Sequence, residues 1–541
     1  MGKRLLIIGR RKLIYLTVTI SIILLLGVFT YQLNLIKSTI ANPTPSVMYD
    51  YSGTALVPND AIWHGEVPEL LNNYLLKRLD QLPEMMFPKS TSKQMIARFS
   101  LRSLDPEQEL PAIYLNHMYF GYGLLGINNA SHYFFNKDLD QISEIEVLFL
   151  LYKSTMSSES SSEDDFLRFL GNVFREGIIS QDMLYSYFDE IPTVIQNTYR
   201  ETTAVQSYIL QVIKELEKKG YKEVEFFRRG HRLYTYFNPS IQHVMFTEFQ
   251  NEQNFPKFEN APVEGGMVIV DQRTGGIHAL MGGREYQESD FNRATETTRQ
   301  PASTFKPLIV YAPAIEVGWT PESVLLDKPI RFGDFEPWNL DRDFRGEVSL
   351  REAIVESYNV PAAWLLYEIG FLTGIDYINR FNLFEIDIED GIKLSHGFTS
   401  VGTSPLAIAQ AYTIFTNEGK MIEAHSIQKL DKRNSFFSRK HKPKETRIIT
   451  EGTAMEMKNL LYHVVEEGTG VHAQSSNQTL GGKTGTTSFD GWFVGFNEQY
   501  MGALWIGPDE VIPENRGDLS RYPAKLFGNI FYEINKLEEL D

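Results

Sequence analysis

Two strand-hairpin signatures stand far apart in this chain, and the text between them is mostly helical; no other feature limits the fold as strongly. The first joins Gly266-Met-Val-Ile-Val270 to Ile277-His-Ala-Leu-Met281 through a turn containing Asp271, Arg273, Gly275 and Gly276. The second joins Trp492–Phe496 to Met501–Ile506, while Leu350–Glu356 and Pro405–Asn417 between them read as helices. Strands so distant must share one sheet to bury their apolar faces, which predicts an α+β fold with an antiparallel sheet. Residues 91–220 read differently. There Ile142, Ile145, Leu148, Phe149 and Tyr152 fall at helical spacing as one buried face, and the polar tract Ser157 to Asp165 reads as a surface loop. A chain of 541 residues exceeds one compact domain. The expected divisions are residues 1–37, a basic flank and membrane anchor; 38–220, a mainly helical region; 221–262, a linker; and 263–541, the domain holding both hairpins.

Charge and residue usage exclude several classes of function. A formal net charge of −17 argues against nucleic acid as a general partner, because phosphate binding needs a basic surface. With no cysteine, disulfides, thiolate nucleophiles and zinc–cysteine clusters are excluded. No H-E-x-x-H helix calls for a metal, and no cofactor is expected. The start of the chain carries a location signal. Lys3, Arg4, Arg10, Arg11 and Lys12 precede an uncharged run from Leu13 to Ile36. At 1.5 Å per residue the run reaches roughly 36 Å, enough to cross a hydrocarbon core of about 30 Å. A cleavable signal peptide shares that layout, but its apolar region of about 7–15 residues would end at small residues. This run leads into Asn34, Leu35, Ile36 and Lys37 instead. The expectation is a single-pass cell-membrane protein with its basic flank in the cytoplasm and everything after Lys37 outside. The basic segment Arg433 to Arg447 is expected to be a solvated insertion loop.

Three short motifs carry the chemistry: Ser303-Thr-Phe-Lys306, Ser357-Tyr-Asn359 and Lys483-Thr-Gly-Thr486. Singly each is weak, since Ser90-Thr-Ser-Lys93 and Ser475-Ser-Asn477 match two of the same patterns. Their order and surroundings decide. A serine hydroxyl is a poor nucleophile until a base takes its proton. Positions i and i+3 share a helix face, so Lys306 can stand beside Ser303 if a helix starts there after Pro301. Burial and a nearby cation, for which Lys483 is the candidate, would keep Lys306 neutral part of the time. Ser357 can relay a proton, and Asn359 can hold Lys306 and a substrate amide. Thr484 and Thr486 offer hydroxyls to a substrate carboxylate, and Gly485 lets backbone approach a ligand. The backbone N–H groups of Ser303 and Thr486 would form an oxyanion hole. There is no G-x-S-x-G elbow. A GxGxxG occurs at Gly121-Tyr-Gly-Leu-Leu-Gly126, but without a βαβ pattern it reads as a tight turn in a helical domain.

With these motifs in place, residues 263–510 resemble the transpeptidase domain of class A penicillin-binding proteins almost continuously. Phe291-Asn-Arg-Ala-Thr-Glu296, Arg299-Gln-Pro-Ala-Ser-Thr-Phe-Lys-Pro307, Arg345-Gly-Glu-Val-Ser-Leu-Arg-Glu-Ala353, Glu466-Glu-Gly-Thr-Gly470 and Asp490-Gly-Trp-Phe-Val-Gly495 carry the likeness. Ala302 departs from it, standing where the family usually has Gly. The resemblance implies the serine β-lactamase fold, an antiparallel sheet with helices on both faces. It also implies that Ser303 attacks the penultimate D-alanine of a peptidoglycan stem peptide, that a neighbouring stem's amine resolves the acyl-enzyme, and that β-lactams acylate the same serine. Leu110-Pro-Ala-Ile-Tyr-Leu-Asn-His-Met-Tyr-Phe-Gly-Tyr-Gly-Leu-Leu-Gly126 is similar to the tail of the family 51 glycosyltransferase domain. The family's E-D-x-x-F-x-x-H and G-G-S-T-I-T-Q-Q motifs are absent, and Lys93-Gln94-Met95 stands where its second catalytic glutamate belongs. An amide cannot serve as base. Residues 38–220 are therefore expected to be a degenerate, inactive glycosyltransferase region, and the chain to need a partner that polymerises glycan. Two other functions compete with the transpeptidase: a DD-carboxypeptidase or other hydrolase of the same fold, and a non-enzymatic scaffold for wall synthesis. A β-lactamase is disfavoured because no E-x-x-L-N lies between Ser357 and Lys483.

Overall fold

The structure, a computed structural model, describes residues 45–56, 69–86, 91–102, 109–155, 163–258, 262–284, 291–382, 388–397, 402–433, 439–475, 478–510 and 521–538, with isolated positions near them. The chain forms two compact units. One comprises Met1–Val47, Val57–Thr198 and Tyr221–Arg232; the other comprises Met48–Leu56, Tyr199–Gly220 and Leu233–Asp541. The division after Thr198 falls inside the long helix Ile191–Lys218, so residues 199–220, expected with the helical region, belong to the second unit. Among the described residues no helix is long and apolar enough to cross a membrane. Most of the run from Leu13 to Ile36, on which the expected anchor rests, lies outside the described residues.

The first unit is helical. Ile145, Leu148, Phe149 and Tyr152 are buried along Glu144–Thr155, and Phe149 meets Phe134 and Phe166 edge-on at 6.2 and 5.4 Å. Ile142 falls before this helix because a capping box starts it at Ser143. The Ser143 amide donates to Glu146 Oε2 at 2.7 Å, and the Glu146 amide donates back to Ser143 Oγ at 3.4 Å. The polar tract ends sooner than expected, since Glu163, Asp164 and Asp165 form the first turn of Glu163–Arg175. Acids there face the positive end of the helix dipole. The Gly121–Gly126 segment is a tight turn, with the Phe120 amide donating to the Leu124 carbonyl and the Leu124 amide to the Gly121 carbonyl.

The second unit is built on a five-stranded antiparallel sheet. Its strands are β1 (Val263–Asp271), β2 (Ile277–Met281), β3 (Gly481–Thr486), β4 (Gly491–Phe496) and β5 (Tyr500–Pro508), in the order β3-β4-β5-β1-β2. Both expected hairpins are present, joined through β5 and β1, where Ala503 stands opposite Val268. Met267, Ile269, Phe493 and Leu504 point to one face and pack with Met245 and Phe249 of α1 (Pro239–Gln250). The period of two sends Val268, Val270 and Val494 to the other face. Helix α2 (Asn359–Glu368) leads away from the second motif, and α3 (Pro405–Thr416) packs on β1 and β5. Helix α4 (Glu451–Glu466) covers β3, and α5 (Arg521–Glu538) adds Phe527, Ile530 and Phe531 to the α1 face. Burial on both faces is why these strands read as continuous apolar runs rather than alternating ones. The basic segment after Arg433 is more than a loop. Arg439–Lys440 pairs with Ile427–Asp431, and Glu445–Arg447 pairs with Lys420–Ile422. Short charged edge strands keep their side chains in water while their backbones pair.

Candidate active site

The first motif sits on an irregular turn. Ala302–Phe305 forms a tight 3₁₀ turn, Pro307–Tyr311 a widened π turn, and only Ala312–Glu316 an α-helix. The cause is proline: the Ala312 amide reaches back to the Pro307 carbonyl, and Pro313 has no amide to give. The regular helix expected from Ser303 therefore starts nine residues late; Ser303 lies within the 3₁₀ turn and Lys306 caps its end. The turn is clamped from two sides. Tyr412 Oη of α3 donates to the Thr304 carbonyl at 2.5 Å, and Thr304 Oγ1 donates to the Pro301 carbonyl at 2.6 Å. Ala302 has φ 50°, the left-handed region where a Cβ costs about 1–2 kcal/mol, so the departure from glycine leaves backbone strain beside Ser303. Strand β3 lies directly against this turn. A Cβ on Gly485 would fall 2.8 Å from the Pro301 carbonyl and 2.9 Å from Thr304 Cγ2, so only glycine permits the approach.

Two buried lysines converge on the second motif. Lys306 Nζ donates to the Ser357 carbonyl at 2.7 Å, the Tyr358 carbonyl at 3.1 Å and Asn359 Oδ1 at 2.7 Å. Lys483 Nζ, from β3, donates to Ser357 Oγ at 2.7 Å and the Thr484 carbonyl at 3.1 Å. Burial first, and the Lys483 charge second, push the Lys306 ammonium well below lysine's ordinary range. The three oxygens around Nζ oppose that shift, but removal from water and a second cation outweigh them. Burial alone lowers Lys483 to about 7. Ser357 itself has φ 59°, a second strained residue at the site.

Sequence reasoning missed what holds this motif in place. Asn339 Oδ1 accepts from the Asn359 and Val360 amides at 2.9 and 3.1 Å. Its Nδ2 donates to Asp327 Oδ1 at 2.8 Å, and Asp327 Oδ2 accepts from the Arg345 amide at 2.9 Å. Asp327 and Asn339 are both buried. Neither lies in a motif, so no local signal marks them. Thr469 was also missed, although it sits in the quoted Glu466–Gly470 stretch; Thr484 Oγ1 donates to its Oγ1 at 2.9 Å.

These pieces border a cavity of about 350 Å³. Ser303, Ser357, Asn359, Thr484, Gly485 and Thr486 line it, so six of the eight expected site residues share one pocket. Lys306 and Lys483 lie fully buried and reach it through Ser357. His396 also borders it; burial and the Lys306 charge hold its imidazole neutral, down to about 3. Of the competing matches, Lys93 lies on a helix of the other unit, while Ser90 and Asn477 fall outside the described residues. Among the described residues no group of three or more His, Asp or Glu side chains is placed to hold a metal. The first unit has its own cavity of about 330 Å³, bordered by Tyr74, Arg78, Tyr114, Tyr119 and Arg228 among others, with no carboxylate among its described lining residues.

Comparison with known proteins bears on both units. Residues 265–534 match the family described as penicillin binding protein transpeptidase domain, and residues 82–168 match the family described as transglycosylase. The chain is 32% identical over 500 residues to penicillin-binding protein 1F of Bacillus subtilis (strain 168), covering 87% of this chain and 69% of that protein. Its fold is similar to penicillin-binding protein 1A from Haemophilus influenzae, with TM-score 0.56, 18% identity, and 91% and 92% of the two chains covered. It is also similar in fold to the PonA1 protein from Mycobacterium tuberculosis in complex with penicillin V, with TM-score 0.53, 18% identity, and 62% and 93% covered.

Proposed function

Because the chain belongs to the class A penicillin-binding proteins, we propose that it is a peptidoglycan DD-transpeptidase working through a Ser303 acyl-enzyme. The observation that carries this reading is the meeting of Lys306 and Lys483 on Ser357, beside a pocket that Ser303 lines. Neutral Lys306 takes the Ser303 proton as Oγ bonds the carbonyl carbon of the penultimate D-alanine. The backbone amides of Ser303 and Thr486 receive the oxyanion, an interaction worth on the order of 10²–10³ in turnover per donor. Lys483 and Ser357 pass a proton to the departing D-alanine amine, and Thr484 and Thr486 hold its carboxylate. The acceptor stem's amine then displaces Ser303 from the acyl carbon, leaving a peptide cross-link.

In this reading the transglycosylase region no longer polymerises glycan, and an active glycosyltransferase partner supplies the strands. Support comes from Gln94 in place of a catalytic glutamate and from a cavity whose described lining holds tyrosines and arginines but no carboxylate. The run from Leu13 to Ile36 would anchor the chain in the cell membrane with both units outside. Extraction of the chain by alkaline carbonate, without detergent, would count against the anchor.

The deciding experiment is intact-protein mass of the 541-residue chain after benzylpenicillin, wild type beside Ser303→Ala. A lasting adduct on wild type alone supports the acyl-enzyme. Rapid release of penicilloate would indicate a hydrolase, and no adduct on either folded protein would favour the scaffold.

A further inference from the structure

One group bordering the active-site cavity has no part in the steps above. Glu356 precedes Ser357, caps the end of the helix Leu350–Val355, and is exposed. It is the one carboxylate among the described lining residues of the cavity. Among the described residues it has no ion-pair partner, whereas neighbouring Arg351 is bound to Glu467 at 2.6 Å and Arg345 is paired with Asp341. The same mouth carries apolar surface in water. Leu340, 89% exposed, and Val471, 39% exposed, both border the cavity.

An unpaired carboxylate that borders the same cavity as two exposed aliphatic side chains suits an ammonium carried on an aliphatic arm. The geometry points to Glu356 as the residue that selects the acceptor: a primary amine on an aliphatic side chain, as in a diamino acid, drawn in as the ammonium. This rests on the transpeptidase reading, because that reaction must bring an amine to the acyl-enzyme whereas its donor need not carry one. The ammonium gives one proton to solvent, and the freed nitrogen bonds the acyl carbon. The bond from that carbon to Ser303 Oγ breaks, and a second N–H proton ends on the serine oxygen. Glu356 takes no proton in this step; it raises the local concentration of the cation, and Leu340 and Val471 cover the arm.

The test forms the acyl-enzyme of the 541-residue chain from an N-acyl-D-alanyl thioester and reads how it divides between aminolysis and hydrolysis. Both products come from one intermediate, so any change in acylation cancels. Wild type and Glu356→Gln are given 1,5-diaminopentane, a dication at neutral pH, or hydroxylamine, which is uncharged there. The expected result is a fall of about two- to fivefold in the diamine's share for Glu356→Gln, with hydroxylamine's share unchanged, the size an exposed ion pair supports. Raised salt should shrink the wild-type preference and leave the variant's alone. Equal shares in both proteins, or a parallel fall for both amines, would overturn the assignment. A loss confined to acylation by a cationic donor would also overturn it, by placing Glu356 on the donor side. If wild type gives no adduct with benzylpenicillin, the transpeptidase reading has failed first; an adduct with an unaltered partition sinks only the role of Glu356.

Discussion

Ser357 is held on its hydroxyl by Lys483 and on its carbonyl by Lys306, so the two amines titrate as a pair rather than singly. Both are pushed down from lysine's ordinary range, Lys483 to about 7, and charging both at once in a buried site is resisted. The base is active only when deprotonated, so acylation should slow as pH falls through the lowered values. Second-order acylation by benzylpenicillin is expected to fall on the acid side, where Lys306 takes up its proton, and to fall again as pH rises past about 7, where Lys483 loses the proton it passes on; a rate that loses nothing above that pH would contradict Lys483 as the donor. Asn339→Ala removes the acceptor of two amides and a partner of buried Asp327. Each buried polar group left without a partner costs about 1–3 kcal/mol. Acylation should fall at least about tenfold, measured beside the melting temperature so that misplacement and unfolding are told apart. The candidate site residues could be named from the sequence because motif spacing is local chemistry. Asp327 and Asn339 could not, because a polar clasp between distant loops has no local pattern.

At the level of elements, β3 and the Ala302–Phe305 turn act as one unit because Gly485 lets them touch. Gly485→Ala should push the strand off the Pro301 carbonyl, a clash of the kind that costs about 1–3 kcal/mol. Expected is an acylation rate lowered by about ten- to a hundredfold with far-ultraviolet circular dichroism unchanged; wild-type acylation in this variant would mean that the contact is not needed. The hairpins were readable because the short apolar runs and the turn residues that bound them are near neighbours in the chain. The late helix after Ser303 is less so, because the apolar stripe through Leu308, Ile309 and Ala312 runs on past Pro307 and Pro313, whose missing amides break the helical bonding beneath it. The strands within the basic segment escaped notice for another reason, since an edge strand needs only backbone to pair.

For the molecule as a whole, the sheet unit stands on its aromatic seam. Phe527 lies 4.1 Å from Phe531 in a stacked pair and 4.8 Å from Phe493, and no part of it is exposed. Phe527→Ala should cost about 3–5 kcal/mol, seen as an earlier thermal transition of the unit that binds benzylpenicillin. A transition at the wild-type temperature would show that α5 is dispensable to the core. The helical unit makes a different prediction. Purified chain should give no detectable glycan polymer from lipid II, and Gln94→Glu alone should not restore it, because the other two motifs are absent as well. Any polymer from wild type would end the degenerate reading. What the sequence determined by itself was the set of candidate site residues and the kind of fold: a serine, two lysines and an asparagine at fixed spacings, and strand pairs whose apolar runs and turns are local. Only tertiary structure decided that the two lysines lie in one buried place, that an asparagine and an aspartate brace the loop above them, and that a lone carboxylate stands at the mouth. Burial, and the lost hydration that shifts a lysine, depend on what the rest of the chain brings near, and no short stretch of residues contains that information.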